Sequence, residues 1–183
     1  MGRIISHFFI SLDGVVESPD KWHFRYFNEE MGAAMDRSIA STEAMLMGRL
    51  LYDEWSVHWP EDPSGDPFGE FINRIPKYVV SNSITEPAWR NTTALAVDVA
   101  EIEKLKVWTP GAIGISGSAT LVRWLLANGL LDELNLMVHP IAVGEGQRLF
   151  DAVGIHPMRL LRQETFSTGV LNLHYAPTDV PRP

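Results

Sequence analysis

Apolar and polar positions along the chain fall into short blocks that predict an alternation of strands and helices. Arg3 to Ser11 is dense in Ile, Phe and Ser and reads as a mostly buried strand, turned by Leu12-Asp13-Gly14. An irregular stretch from 15 to 27 carries Trp22, Phe24, Tyr26 and Phe27, after which Asn28 is placed to cap a helix running to about Ala40. Glu43 to Met47 is a short apolar strand, and Gly48-Arg49 opens a helical segment through Trp55. A proline-rich surface loop over 56–67 precedes a short helix near Phe68 to Arg74 and a strand from Lys77 to Val80. Ala94 to Val97 predicts a strand, Val99 to Lys106 an exposed helix, and Ala112 to Ile115 another strand. Ser116-Gly117-Ser118 then leads into an amphipathic helix over Ala119 to Ala127, stopped by Asn128-Gly129. Leu134 to Val143, Leu160 to Phe166 and Val170 to Tyr175 complete the strands, the last two joined as a hairpin across Ser167-Thr168-Gly169.

Strands alternating with helices early and a strand-rich end predict an α/β fold. Its sheet is mixed, parallel in the centre and antiparallel at the C-terminal edge. Ligands in such sheets sit beyond the carboxyl ends of the strands, which directs attention to the loops after them. One domain over 1–183 is the expectation, with 176–183, which holds three prolines, as a frayed tail.

Composition narrows the chemistry. A formal charge of -8, from 23 acids against 15 bases, gives no basic stripe for a phosphate backbone, so no nucleic-acid partner is expected. No apolar run reaches the roughly 18 residues of a membrane span, and the N-terminus lacks a secretory signal, so a cytoplasmic protein is expected. Met1-Gly2-Arg3-Ile4-Ile5-Ser6 fits the loose acylation pattern, but the same residues enter the first strand. With no cysteine there is no disulfide, thiolate nucleophile or cluster ligand, and redox chemistry would have to come from a cofactor. The six histidines show no i, i+4 ligand pairing, and no metal site is expected.

Two corners have the chemistry of an anion cradle. Met47-Gly48-Arg49 puts a tight turn, a helix N-terminus and a guanidinium together, although the tripeptide alone could be only a glycine-punctuated strand-to-helix turn with a solvated Arg. Ser116-Gly117-Ser118-Ala119 repeats the strand-to-helix device, although its serine could equally be an ordinary N-cap. Ser81-Asn82-Ser83 adds a polar edge that could also be only a turn. G-x-G-x-x-G, the Walker A sequence and the G-x-S-x-G elbow are all absent, which disfavours a standard dinucleotide fold, an NTPase and a serine hydrolase. The aromatic loop around Trp22, His23, Phe24 and Tyr26 could stack a planar heterocycle or simply plug the core or a dimer interface.

Taken in order, several segments resemble the dihydrofolate reductase superfamily over about residues 3–175. They are Ser11-Leu12-Asp13-Gly14-Val15, Met47-Gly48-Arg49 with Tyr52 and Trp55, Val79 to Ser83, Gly117 to Leu121, Leu131-Asp132-Glu133-Leu134 and His139 to Gly146. The likeness is to bacterial proteins similar to the C-terminal reductase domain of the bifunctional riboflavin-biosynthesis enzyme. It implies a three-layer fold with a central sheet of about eight strands, NADPH as cofactor, and a homodimer. Gly48 and Arg49 would meet the cofactor phosphates, Ser81, Asn82 and Ser83 would flank the adenosine side, and Gly117, Ser118, Ala119 and Thr120 would hold the pyrophosphate. Val15 to Trp22 would close over the nicotinamide, and the catalytic candidates are Asp13, Trp22, Glu29 and Glu30. The family's carboxylate at the start of the first helix falls on Phe27 here, with Glu29 and Glu30 as the nearest acids. Ala119 stands where a base would read the 2'-phosphate, with Arg123 one turn on. The expected activity is NADPH-dependent hydride transfer to a pterin or ribosylaminopyrimidinone. A nucleotide-binding protein without turnover is the alternative, and a purely structural partner-binding domain would require the cradles to be coincidence.

Overall fold

The computed structural model describes residues 1–61 and 65–178. The strands are β1 (Arg3–Ser11), β2 (Thr42–Gly48), β3 (Lys77–Val80), β4 (Thr92–Leu95), β5 (Ala112–Ser116), β6 (Glu133–His139), β7 (Met158–Thr165) and β8 (Leu171–Pro177). The helices are α1 (Glu29–Ser41), α2 (Arg49–His58), α3 (Pro67–Arg74), α4 (Val99–Trp108) and α5 (Ala119–Ala127). All strands join one sheet in the order β4-β3-β2-β5-β1-β6-β8-β7. β4 through β6 run parallel, while β8 is antiparallel to both β6 and β7. This is the mixed α/β architecture that the pattern predicts, with the antiparallel edge at the C-terminus.

Alternation along β1 divides the molecule into layers. Ile4, Phe8 and Ile10 face a core shared with Ile102 and Leu105 of α4 and with Leu121, Val122 and Leu125 of α5. The opposite face carries two smaller cores. One packs Met45, Met47 and Val79 under Tyr52 of α2 and Phe71 and Ile72 of α3. The other sets Met31 and Ala34 of α1 on Phe166 and Val170. These two are the only buried residues of α1, so its C-terminal half stands off the sheet.

Several boundaries differ from the expected ones for local reasons. The fourth strand covers Thr92–Leu95 rather than 94–97, because Val97 N–H donates to Asn82 Oδ1 and Asp98 caps α4. β6 stops at His139 rather than 143, since Pro140 has no N–H for the ladder and the next residues turn toward Asp13. α2 continues to His58 and passes into a 3-10 turn at Trp59–Glu61, so the loop expected from 56 is shorter. The tail is also shorter: Ala176 and Pro177 pair with Arg159 and Met158, while 179–183 lie outside the described residues. Gly2 is buried, its N–H donating to the Lys106 carbonyl, and a Cβ there would run into the Thr109 carbonyl.

Candidate functional site

The carboxyl ends of β1, β2, β3 and β5 open into a cleft of about 1280 Å³. Gly48 and Arg49 line one wall and Ser116 to Thr120 the adjoining one. The two walls touch, for Gly48 N–H donates to Ser118 Oγ at 3.0 Å, and Gly48 leaves a space in which a Cβ would meet that same Oγ at 3.5 Å. Gly117 and Ser118 both take left-handed backbone, φ 77° and 57°. Ser118 therefore points its side chain across to β2 instead of capping its own helix, which corrects its reading as an ordinary N-cap.

Helix starts in this molecule fall into two kinds. Asn28, Asp66 and Asp98 cap α1, α3 and α4 through their side chains, and each first turn carries at least one acid. α2 and α5 have no side-chain cap and no acid in the first turn. Both of these N-termini line the cleft, which the capped start of α3 also borders through Asp66. Unmatched N–H groups and the positive dipole end leave both starts suited to an anion.

Arg49 is half exposed, paired with Asp53 at 2.7 Å and donating to Ser83 Oγ at 2.7 Å. Ser83 is thereby tied to the α2 cradle, and its backbone N–H and hydroxyl both meet Ser81 Oγ. Asn82 instead holds the exit of β4. Arg123 donates to the Ala119 and Asp151 carbonyls, one turn into α5. Near the cleft's α3 side Trp55, Trp59 and Phe68 pack edge to face, and the buried Trp59 Nε1–H has no partner among the described residues.

The four catalytic candidates fare differently. Asp13 accepts from Ser11 Oγ and from the N–H groups of Val143 and Gly144. The Ser11 hydroxyl first, then those two amides, hold its carboxyl well below the usual carboxylate range. It thus fastens the Gly14 turn to the 141–149 segment, which also receives Val16 N–H at the Gln147 carbonyl and returns Leu149 N–H to Gly14. The expected lid is pinned at its base. Gly146 (φ 113°) is required by this seam, since a Cβ would lie 3.0 Å from Val15 Cγ1.

Trp22 is buried, its Nε1–H on the Glu17 carbonyl and its ring edge-on to His139. Glu30 accepts from Ser167 N–H and Oγ and from Asn28 Nδ2, and these contacts lower its pKa. Glu29 is exposed in the first turn of α1. Neither glutamate lines the cleft, so the acid expected at the start of α1 does not face it. The cleft's carboxylates are others, Glu17, Asp20 and Glu54 among them.

Behind the cleft lies an imidazole cluster that the spacing of histidines along the chain does not reveal. His23 stacks on Phe9 at 4.3 Å and stands edge-on to His139, 6.0 Å between ring centroids. His23 Nδ1 and His139 Nε2 are buried without partners among the described residues. Burial, helped by its histidine neighbour, pushes His23 down to about 4, and burial lowers His139 as well. His7, on the same face of β1, is also held at about 4, chiefly by burial. Between pH about 6.5 and 4 the unfolded chain takes protons that these folded imidazoles refuse, so stability falls as the pH drops through that window. The expected loss in melting temperature from pH 7 to 4.5 is on the order of 5 °C, partly relieved by His23→Phe, which keeps the stacked ring. A variant with the wild-type pH slope would refute this assignment. The acid-weakened Asp13 clasp acts lower, below its ordinary carboxylate range, and is separable on that ground.

An eight-stranded mixed sheet with a cleft built from two uncapped helix starts defines an α/β protein of the dihydrofolate reductase-like fold. Residues 3–172 match the RibD C-terminal domain family, and the chain belongs to it. An uncharacterized protein of Bacillus subtilis (strain 168), YyaP, is 28% identical over 181 residues, 94% of each chain. Among solved structures, a putative riboflavin biosynthesis protein from Shewanella sp. PV-4 superposes with a TM-score of 0.79 at 18% identity, covering 97% of this chain and 99% of that one. Dihydrofolate reductase from Enterococcus faecalis, complexed with NADP(H), gives 0.62 at 12% identity over 97% of each. No helix among the described residues is long and apolar enough to cross a membrane.

Proposed function

We propose that the chain is an NADPH-dependent reductase that delivers a hydride to a planar heterocycle of the pterin or ribosylaminopyrimidinone type. The observation that carries this reading is the pair of uncapped, acid-free helix starts facing one cleft, while every other α-helix among the described residues is capped and acidic at its start. Family membership and the NADP(H) complex of the Enterococcus faecalis relative support the same cofactor. When bound, the cofactor supplies the hydride. Gly117, Ser118, Ala119 and Thr120, leading into α5, would hold the pyrophosphate, and Gly48 with Arg49 would hold an outer phosphate. Ser81, Asn82 and Ser83 would border the adenosine, with Ser83 positioning Arg49. Val15 to Trp22 would shield the reacting ring from water, its base fixed by Asp13.

The reading has the enzyme act as a cytoplasmic homodimer. Support comes from the outer strands, where Leu160, Leu161 and Leu171 are left exposed. A nucleotide-binding protein without turnover is the second reading, favoured by one observation: Phe27 occupies the family's acid position and Glu30 is engaged with Ser167.

Cofactor fluorescence on NADPH titration should saturate. Arg49→Ala should weaken it by about 1 to 3 kcal/mol through loss of a charge-assisted contact, and unchanged affinity would remove Arg49 from the site. NADPH oxidation with ribosylated aminopyrimidinones but not with dihydrofolate is expected. Saturable NADPH binding with neither substrate consumed would favour the second reading.

A further inference from the structure

The stretch between Val15 and Met31 runs largely at the surface, and only Trp22 and His23 within it are buried. From Ser18 to Phe27 its backbone hydrogen bonds close on themselves. The N–H groups of Lys21, Trp22, His23, Tyr26 and Phe27 all donate to carbonyls of 18–24, and the Trp22 indole donates to the Glu17 carbonyl. Among the described residues a single hydrogen bond crosses from this segment to the body of the protein, from the Tyr26 hydroxyl to the Pro140 carbonyl at 3.3 Å. The same segment lines the cofactor cleft through Ser18, Pro19, Asp20 and Phe24.

Ring packing is therefore what fastens it. His23 lies parallel to Phe9 of β1, 9° between planes, and Trp22, His23 and Tyr26 all meet His139 of β6 edge to face at 5.3, 6.0 and 5.6 Å. Both imidazoles suit this place only without charge. His139 Nδ1–H donates to the Met137 carbonyl, so the buried, unpartnered Nε2 carries a bare lone pair. A proton there would put charge among the rings, and the Met137 and Ile10 carbonyls do not offset the burial. A protonated His23 would carry N–H on both nitrogens, with the buried Nδ1 lacking an acceptor among the described residues. Asp20, exposed on the same segment, attracts a charged His23, but burial and the repulsion of His139 outweigh it. Tyr26 is the other titratable group packed on the pair, while Phe9, Trp22, Phe24 and Phe27 bring no charge.

We propose that His23 and His139 form a proton-operated latch, which holds 18–27 against the sheet while both rings are uncharged and frees it from the cleft when they take protons. The latch rests on the segment's own packing, while the consequence for a cofactor rests on the reductase reading. Closed, His23 is held at about 4, and in the freed segment it returns toward its ordinary 6.5. The closed form therefore dominates at neutral pH and loses ground as the pH falls from 6.5 toward 4. At pH 5 the loss is about thirtyfold from His23 alone, with His139 acting in the same direction.

Hydrogen exchange on the whole protein, expressed as protection factors to remove the intrinsic effect of pH, reads this opening. Amides of 21–23, 26 and 27 should lose about thirtyfold or more in protection between pH 7.5 and 5 and stay well below those of β1 at both values. His23→Phe, which keeps the stacked ring, should shrink the drop, and adding His139→Phe should remove it. No drop in the wild type would overturn the latch, as would a drop that persists in the double variant or segment amides protected as strongly as β1. Calorimetry with NADP+ at the same two pH values should show affinity falling further in the wild type than in the double variant, and an equal fall would overturn the gating of the cleft. Binding of NADP+ at neither pH, with the exchange pattern as predicted, would instead refute the cofactor reading and leave the latch standing.

Discussion

Thr120→Glu is expected to weaken NADPH binding by about 2 to 3 kcal/mol, on the order of a hundredfold, while leaving the fold as stable or slightly more so. The two effects have opposite signs for one reason. Thr120 is exposed in the first turn of α5, which carries no acid and no side-chain cap. A carboxylate there complements the helix dipole, worth about 0.3 to 1 kcal/mol, and Arg123, already 3.5 Å from the Thr120 hydroxyl, can pair with it. The same carboxylate stands where the pyrophosphate would lie and repels it. Thr120→Gln, which adds the length without the charge, should cost much less binding. Thermal melts and NADPH titrations on both variants check the pair of effects. If Thr120→Glu binds NADPH like the wild type, the α5 start is not the phosphate site.

The second large effect lies far from the cleft. Lys77, at the start of β3, is fully buried. Its Nζ donates to the carbonyls of Ile72 and Ile75 at 2.8 and 3.1 Å and sits 4.6 Å above the Trp89 ring. It thereby satisfies carbonyls that the C-terminal end of α3 leaves unmatched, and burial with nearby Arg90 lowers its pKa to about 8. Lys77→Ala removes the stem, leaving a cavity, and orphans both carbonyls, for an expected loss of about 3 to 5 kcal/mol. Lys77→Met refills most of the volume and should lose roughly half as much. Urea denaturation measures both, and NADPH affinity of the folded fraction should be unchanged because β3 meets the cleft at its other end. Equal losses for Ala and Met would mean that the hydrogen bonds, and not the packing, dominate. No loss in either would contradict the capping role.

The cradles were legible because strand-to-helix corners are local. Gly48, Gly117 and Ser118 announce a tight turn, and the helices that follow begin within a residue or two of the expected positions. The crossing of Ser118 to Gly48, seventy residues away in sequence, is not local and could not be read. Asp13 shows the same limit. It sits in a motif that suggests chemistry, yet its partners Val143 and Gly144 arrive from the far end of the chain and convert it into a clasp. Glu30 is claimed likewise by Ser167. His7 and Asn135 could not be linked for a different reason: they lie 128 residues apart, each among other polar residues of its strand, and only the parallel register of β1 on β6 sets them side by side. Strand ends were misplaced where a cap or a proline outcompeted hydrophobic pattern, as at Asp98 and Pro140.

A crystal structure of the NADPH complex tests the central claim most directly. The account predicts pyrophosphate oxygens within hydrogen-bond reach, about 3 Å, of backbone nitrogens in the first turn of α5, and another phosphate at the start of α2 beside Arg49. A cofactor whose phosphates lie elsewhere, with both helix starts facing only solvent, would contradict it.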